Sequence, residues 1–562
     1  MGKGSNFDVI VIGGGSAGCL AAGRLVAEYG LRVLLLEQGG VDRSPLIHMP
    51  AGFVELLGNQ RYMTFHRGAR QAQLFDREPF IPQGRVLGGG SSVNAMVYVR
   101  GQAEDYQEWV AATGDQGWRF SSLLPHFINM EANGTFNNRF HGIDGPLSVT
   151  HGSSVCDVSR AFVLAAQEAG LPYNEDFNGE TQAGVGFYQI TAGGGRRCSA
   201  VDAFLAPVRK DSRLTIRTGA RVHRILIENG VAKGVLYRQG GALKKAWSDE
   251  VICTAGALVT PQLLMLSGIG DAAELEKNGI GVVAESPGVG RNLQDHHEAP
   301  VLAFCNGKYG YYKQDSGFNR LRNGARYLAF RDGPVSSNGV EAGAFINPDD
   351  AGGRPTLQIF CVPTVYLDPD VTDQKPTYGF TLNSCVLRPR SRGSVTLRSS
   401  SPEDLPLISP NYLDDAEDLR LSIAGIRSAA KIAEANPLKN MVERVVYPES
   451  LEASDEVLAE HCRRTAKTVY HPVGTCRMGR MDDPMAVLDS QLRVKGVQGL
   501  RVFDASSWPN IISGNTNATV YAVADRGVSM MMGDIKTTED RQTVDGGPAD
   551  GGSVGLAAGQ RP

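Results

Sequence analysis

The chain of 562 residues carries 56 Lys and Arg against 60 Asp and Glu, a formal net charge of −4, with 42% hydrophobic and 21% charged residues. This is the balance of an ordinary folded chain long enough for at least two domains, and it excludes a surface built to neutralise nucleic-acid phosphates. No run approaches the roughly 20 apolar residues that span a bilayer; the nine cysteines are odd in number and form no CxxC, so the expectation is no disulfide framework, no metal site and a reducing, cytoplasmic setting.

At the start of the chain, "FDVIVIG" is too short for a signal-peptide core, and "MGKGSN" has Asn6 where a myristoylation motif needs Ser or Thr. Val9–Ile12 is a continuous apolar run suited to a buried parallel strand. Gly13, Gly15 and Gly18 follow as GxGxxG. In such a turn the first glycine permits the tight turn, the second lets a pyrophosphate approach the backbone, and the third lets helix pack on strand. The helix N-terminus beyond offers unpaired N–H groups and a partial positive charge. Val33–Leu36 makes a second strand, and Glu37 ends it where a carboxylate accepts hydrogen bonds from an adenosine ribose. The unit predicts a dinucleotide site without choosing between NAD and FAD.

Further along, "GRVLGGGSSVNAMVYVRG", Gly84 to Gly101, puts Gly88, Gly89 and Gly90 before two serines and an asparagine. Without Cβ atoms such a loop lies close against a flat ligand. The alternative, a flexible linker, is disfavoured by Val86, Leu87, Val93, Met96 and Val97 threaded through it. "RVHRILIENGVAKGVLY" reads as two strands joined at Asn229-Gly230. "DEVICTAGA" reads as a buried strand entering a glycine turn, and Thr260-Pro261 as the N-cap and first turn of a short helix that Gly268 stops. The nucleotide unit is thus expected to be assembled from well-separated segments.

Asp295, His296 and His297 are adjacent, but neighbours on an extended chain face opposite ways, so a structural role beside a cofactor is favoured over a shared metal. Tyr309, Tyr311 and Tyr312 fit an aromatic pocket or an exposed loop equally well. Glu341 could enter a substrate cavity or salt-bridge on a strand, the second being favoured, and Arg388–Arg392 is expected to support a loop. In "TVYHPVGTCRMG", Pro472 biases His471 towards extended backbone at a loop or strand end. Taken alone, His471 reads as a packed structural histidine. The polar, Gly-rich segment 537–562 is expected to be a disordered tail.

Together the GxGxxG with Glu37, "GRVLGGGSSVNAMVYVRG", "GALVTPQLLMLSGIG", "GVGRNLQDH", "LRPRSRGSVTLRSSSPEDLPLISPNYL", "HPVGTCRMG" and "LRVFDASSWPNIISGNTNAT" resemble, in order, the motifs of the glucose–methanol–choline (GMC) oxidoreductases. The resemblance runs from about Phe7 to about Gly533. It implies FAD, an α/β fold with a Rossmann-like FAD-binding domain interleaved with an antiparallel-sheet (α+β) substrate domain, and oxidation of a small-molecule alcohol by hydride transfer to flavin N5. Reduced flavin would pass its electrons to O2 or another acceptor. The FAD domain is expected over 6–150, 205–300 and 465–533, and the substrate domain over 151–204 and 301–464.

Carried over by position, the resemblance implies cofactor contacts at Gly13, Gly15, Ser16, Gly18 and Glu37, and at Gly88, Gly89, Ser92 and Asn94. Further contacts fall at Val222 beside the adenine, at Asp504 and Ala505, and at Asn515 and Thr516 along the isoalloxazine. His471 and Asn515 match the catalytic pair. Relatives that bind FAD covalently have a histidine where this chain has Val93, so FAD is expected to be non-covalent. Choline-oxidising relatives hold the ammonium with a carboxylate beyond the "DH" dipeptide; apolar Phe304 and Cys305 near that point disfavour choline.

The chemistry then raises His471 above a structural residue. An alcohol carbon releases hydride readily only as its hydroxyl proton departs, and an imidazole titrating near neutrality suits that task. Asn515 can donate an N–H to the same oxygen. Three other readings stand beside this one: a nicotinamide dehydrogenase, a flavin-dependent lyase or decarboxylase on the same fold, and a scaffold that merely keeps the fold.

Overall fold

The computed structural model describes residues 7–367 and 374–544, the last of these, 534–544, as backbone only. In chain order the strands that position the site are β1 (Phe7–Ile12), β2 (Val33–Leu36), β3 (Gly184–Phe187), β4 (Leu214–Arg217), β5 (Ala220–Glu228), β6 (Val231–Gln239) and β7 (Ala242–Cys253). They continue with β8 (His297–Cys305), β9 (Ala342–Ile346), β10 (Leu357–Val362), β11 (Gly379–Val386), β12 (Val442–Tyr447), β13 (Lys467–Thr468) and β14 (Leu500–Val502). The helices that matter are α1 (Ser16–Ala27), α2 (Gly90–Val93), α3 (Asp157–Glu168), α4 (Thr260–Leu266), α5 (Gly317–Phe330), α6 (Ala416–Ala433) and α7 (Asn517–Val544).

One seven-stranded sheet has the order β4-β2-β1-β7-β6-β5, with β14 paired to β7. Its β4, β2, β1, β7 and β14 run parallel. The long β7 explains the mixed character. Its first half pairs antiparallel with β6, while Ser248–Cys253 pairs with β1. At the β5–β6 turn both Asn229 (φ 51°) and Gly230 (φ 75°) are left-handed, the backbone an Asn-Gly hairpin requires. β1 and β2 are apolar and nearly all buried because α1 covers them; Cys19, Leu20, Leu25 and Val26 of that helix are fully buried in the same core. Across the molecule α1 packs on α7, where Arg24 Nη1 lies 2.6 Å from Asp525 Oδ1.

The second seven-stranded sheet, β12-β8-β11-β10-β9-β3 with β13 on β8, is antiparallel throughout. α3 and α6 cover one face of it and close a separate core around Val301, Ile359 and Leu382. Three local expectations need correction. Thr260 begins α4 and Val259 holds the N-cap position. β8 runs through the expected domain limit at 300, since His297–Cys305 is one buried strand, and β13 pairs into the substrate-side sheet although it lies beyond 465. Finally, α7 extends past 537 to Val544; 545–562, the rest of the expected tail, lie outside the described residues.

Candidate active site

A single continuous cavity of about 1690 Å³ runs from the β1–α1 turn, between the two sheets, to the rim near α5. That exceeds the ~300–1,000 Å³ of an ordinary small-ligand pocket and leaves room for a dinucleotide together with a substrate.

At one end the glycines divide their work as the sequence predicts. Gly13 turns the chain at φ 101°, and a Cβ there would lie 2.5 Å from the Thr254 carbonyl oxygen. A Cβ on Gly18 would lie 1.9 Å from the Gly13 oxygen, so only glycine lets α1 sit this close. A Cβ on Gly15, by contrast, meets no protein atom nearer than 3.9 Å. Gly15 lines the cavity, and the space beside it is what a pyrophosphate needs. The second glycine turn interlocks with the first: Gly88 N–H donates to the Gly14 carbonyl (2.6 Å), and a Cβ on Gly89 would strike Gly15 Cα at 2.7 Å.

Glu37 is buried at the end of β2. Its carboxylate accepts from the Gly14 N–H (2.8 Å) and the Gly39 N–H (2.6 Å), and burial pushes its carboxyl up to about 7. Asp504 accepts from the Gly256 N–H and Thr260 Oγ1 on one oxygen, and from the Ser506 N–H and Oγ on the other. With both oxygens occupied, Asp504 serves chiefly to set the backbone around Gly256 and Ala505.

Gly13, Gly15, Ser16, Glu37, Gly89, Asn94, Val222, Asp504, Ala505, Asn515, Thr516 and His471 all line this one cavity. Gly18, Gly88 and Ser92 do not. Ser92 is turned inward, donating to the Leu87 carbonyl (2.8 Å), and Gly88 is glycine because a Cβ would lie 2.1 Å from Ser92 Oγ. These residues shape the turn behind the wall. The open space beside Gly15, the second glycine turn interlocked with it and the buried carboxylate at the end of β2 fit an FAD.

The histidine lies where the second sheet meets this cavity. His471 stands three residues beyond β13, and Tyr470 before it is left-handed (φ 67°). A bulky residue held in that region is strained backbone of the kind that clusters at functional sites. The His471 N–H donates to Asp295 Oδ1 (2.9 Å); Thr468 Oγ1 and Tyr412 OH donate to Oδ2. Burial pushes the Asp295 carboxyl up to about 6.

The side chains then define a tautomer. His296 Nε2 lies 2.9 Å from the Leu387 carbonyl oxygen, which can only accept, so Nε2 carries the proton. In the neutral ring Nδ1 is therefore an acceptor. His471 Nδ1 stands 2.9 Å from it and must donate. The remaining nitrogen, His471 Nε2, keeps its lone pair and faces Asn515 Nδ2 at 3.3 Å. Burial, and second the neighbouring His296, hold His471 well below the ordinary histidine value, while burial lowers His296 to about 4. Both shifts favour the neutral rings. The expectation of a base titrating near neutrality is corrected on this point. Asn515 is oriented in turn by Gln358, whose Nε2 donates to Asn515 Oδ1 (3.3 Å) and to Tyr188 OH (3.0 Å).

His297 turns the other way, with Nε2 3.1 Å from Ser422 Oγ. Tyr311 and Tyr312 line the cavity and Tyr309 does not. Among the described residues Glu341 forms no ion pair; it accepts from the Cys156 N–H (2.9 Å), Ser337 Oγ and Tyr311 OH. Arg388 Nη1 donates to Pro355 O and Ser513 Oγ, supporting a loop as expected.

Several functional residues are missed by sequence reasoning. Buried Arg197 holds Asn94 through Oδ1 and the backbone oxygen, both at 2.7 Å; nothing local in "GGGRRCSA" signals it. Glu298 faces the cavity, whereas Phe304 and Cys305 do not. It stands two residues after His296, and β-strand alternation from that histidine would have found it. Glu298 Oε1 lies 3.3 Å from Lys467 Nζ, both side chains buried. That ammonium is 3.7 Å from the centre of the Tyr366 ring, and Tyr366 OH is 2.9 Å from Tyr470 OH.

Known proteins resemble this chain along most of its length. Family profiles described as GMC oxidoreductase match residues 7–298 and 389–524. The chain is 42% identical to an "Alcohol dehydrogenase [acceptor]" of Pseudomonas putida over 532 residues, 94% of this chain and 96% of that one. It is 38% identical to the mitochondrial choline dehydrogenase of Homo sapiens, covering 94% and 90%. Among solved structures, pyridoxine 4-oxidase from "Mesorbium loti" matches with a TM-score of 0.86 at 32% identity, covering 94% and 99%. A formate oxidase of Aspergillus oryzae studied for FAD modification matches at 0.86 and 26%, covering 96% and 100%.

Proposed function

The chain belongs to the GMC oxidoreductase family, and we propose that it oxidises the CH–OH group of a neutral alcohol to a carbonyl, with His471 as the base. The single observation that carries this is the His471 Nε2 lone pair, presented to the cavity beside Asn515 Nδ2. An alcohol hydroxyl seated between the two gives its proton to Nε2 while accepting from the Asn515 N–H, which steadies the developing alkoxide. His296 keeps the reactive nitrogen unprotonated at rest through the Leu387 carbonyl. Gln358 fixes the amide so that its N–H side meets the oxygen. FAD, held without a covalent bond by the two glycine turns, would supply the hydride acceptor and pass electrons to O2 or another acceptor.

A neutral substrate follows from Glu298. The carboxylate on the substrate side of the cavity is already matched by Lys467, so a cationic alcohol such as choline finds no unbalanced charge. This replaces the argument from Phe304 and Cys305. The test is anaerobic reduction of bound flavin in His471→Ala: a slowing of about 10²–10⁴ with FAD content near wild type is expected of a lost acid–base group. Reduction at close to the wild-type rate would overturn the assignment.

A further inference from the structure

Helix α5 is inside out. Its buried side chains are Asn323 and Tyr327, with Asn323 Nδ2 donating to the Gln314 carbonyl (2.9 Å) and side-chain oxygen (3.0 Å). Its largest apolar side chains face outward: Phe318, Leu321, Leu328 and Phe330 are 77, 72, 73 and 75% exposed. Phe318, Leu321, Ala325 and Leu328 recur at i, i+3, i+7 and i+10, which puts them on one stripe of the helix. Single exposed leucines are ordinary, but a contiguous outward stripe is not.

The flanks of the stripe are basic. At 100° per residue Arg322 and Arg326 fall along one edge, Arg320 and Arg331 along the other. All four are exposed, as is Lys313 just before the helix, against Asp315 and Asp332 in the same stretch. Asp332 neutralises Arg326 (2.7 Å). In a chain whose net charge is −4, this is a local excess of cations around an apolar strip. The helix also rims the cavity: Arg320, Leu321 and Leu328 line its mouth, and Val54, itself 63% exposed, lies on the same rim.

We propose that α5 docks the enzyme onto an anionic lipid surface. The apolar stripe would enter the headgroup–acyl boundary while the flanking guanidinium groups meet lipid phosphates, the arrangement of an interfacial amphipathic helix. The charge selects a lipid surface over a second copy of this chain, since two such faces would bring like charges together. Docked in this way, the cavity mouth opens at the bilayer surface. The substrate class follows, resting on the alcohol-oxidising reading above: amphiphilic alcohols partitioned into the membrane, entering hydroxyl-first towards His471.

The test is co-sedimentation of the FAD-loaded enzyme with vesicles of phosphatidylcholine alone or mixed with phosphatidylglycerol, at low and high salt. Binding to the anionic vesicles that weakens with salt is expected, and Phe318→Glu, on the stripe itself, should lower the partition coefficient at least tenfold with an unchanged melting temperature. Phe318 does not line the cavity, so flavin reduction by a short water-soluble alcohol should stay at the wild-type rate in this variant. Absence of binding, binding indifferent to the variant, or a concentration-dependent dimer by light scattering that the variant breaks would each overturn the proposal. Vesicle binding does not depend on turnover, so a wild-type enzyme that binds vesicles yet reduces its flavin with no alcohol would refute the proposed function and leave the docking surface standing.

Discussion

Replacing Lys467 with methionine should turn a site for neutral alcohols into one that prefers cations. In the wild type the ammonium stands 3.3 Å from the Glu298 carboxylate, with both side chains buried. Lys467→Met keeps the aliphatic volume and removes the ammonium from the Glu298 carboxylate that faces the cavity. A quaternary ammonium at ~5 Å from that carboxylate, at an effective dielectric near 20, gains about 3 kcal/mol, or roughly 10²-fold in binding. The clean comparison is choline against 3,3-dimethylbutan-1-ol, which has the same shape and no charge. Anaerobic stopped-flow reduction gives the apparent kcat/KM ratio for the pair, and that ratio should move towards choline by about two orders of magnitude. Because removing one partner of a buried pair costs about 3–5 kcal/mol, the melting temperature should fall. Glu298→Gln/Lys467→Met should recover part of it and return the ratio to its starting value. If the ratio is unchanged in a folded, FAD-replete Lys467→Met, the pair does not face the substrate and the argument for a neutral alcohol is wrong.

Other outcomes follow from the same geometry. The base must be neutral to act, and burial holds His471 well below 6.5, so flavin reduction should be flat through pH 7 and fall only in more acidic solution; a limb centred at or above 6.5 by stopped flow would refute the buried neutral ring. FAD at a hundredfold excess over its Kd should stabilise the apoprotein by about 2.7 kcal/mol, read as a rise in melting temperature. Gly15→Val should abolish that rise, because its side chain occupies the open space beside the first turn; a retained shift would move the pyrophosphate elsewhere. With Val93 where a covalent link would need a histidine, acid precipitation should release all the yellow colour to the supernatant, and colour retained in the pellet would contradict non-covalent binding.

What could be read from the sequence was what local chemistry encodes. The β1–α1–β2 unit was legible because apolar runs, glycine spacing and a terminal carboxylate lie within one short stretch, and the Asn229-Gly230 hairpin because its turn backbone has few other solutions. The resemblance supplied His471 and Asn515 as a pair, and the fold brings them to 3.3 Å. The tautomer was out of reach, since it depends on Leu387, His296 and His471, three positions that meet only when β8, β11 and the loop after β13 assemble. Arg197 and Lys467 were hidden for a related reason: their partners, Asn94 and Glu298, lie more than a hundred residues away. Ser92 shows the opposite limit, a motif residue whose side chain holds its own turn and never reaches the cavity wall.

The packing of α1 on α7, fastened by Arg24 and Asp525 across 501 residues, sets an order of events during synthesis. The glycine turn leaves the ribosome about 500 residues before the helix that braces its back. At ~5–20 residues per second the N-terminal β–α–β unit waits about 25–100 s with one face of α1 uncovered. Until that helix arrives, the face of α1 that it covers in the finished fold stays open to solvent and to chaperones.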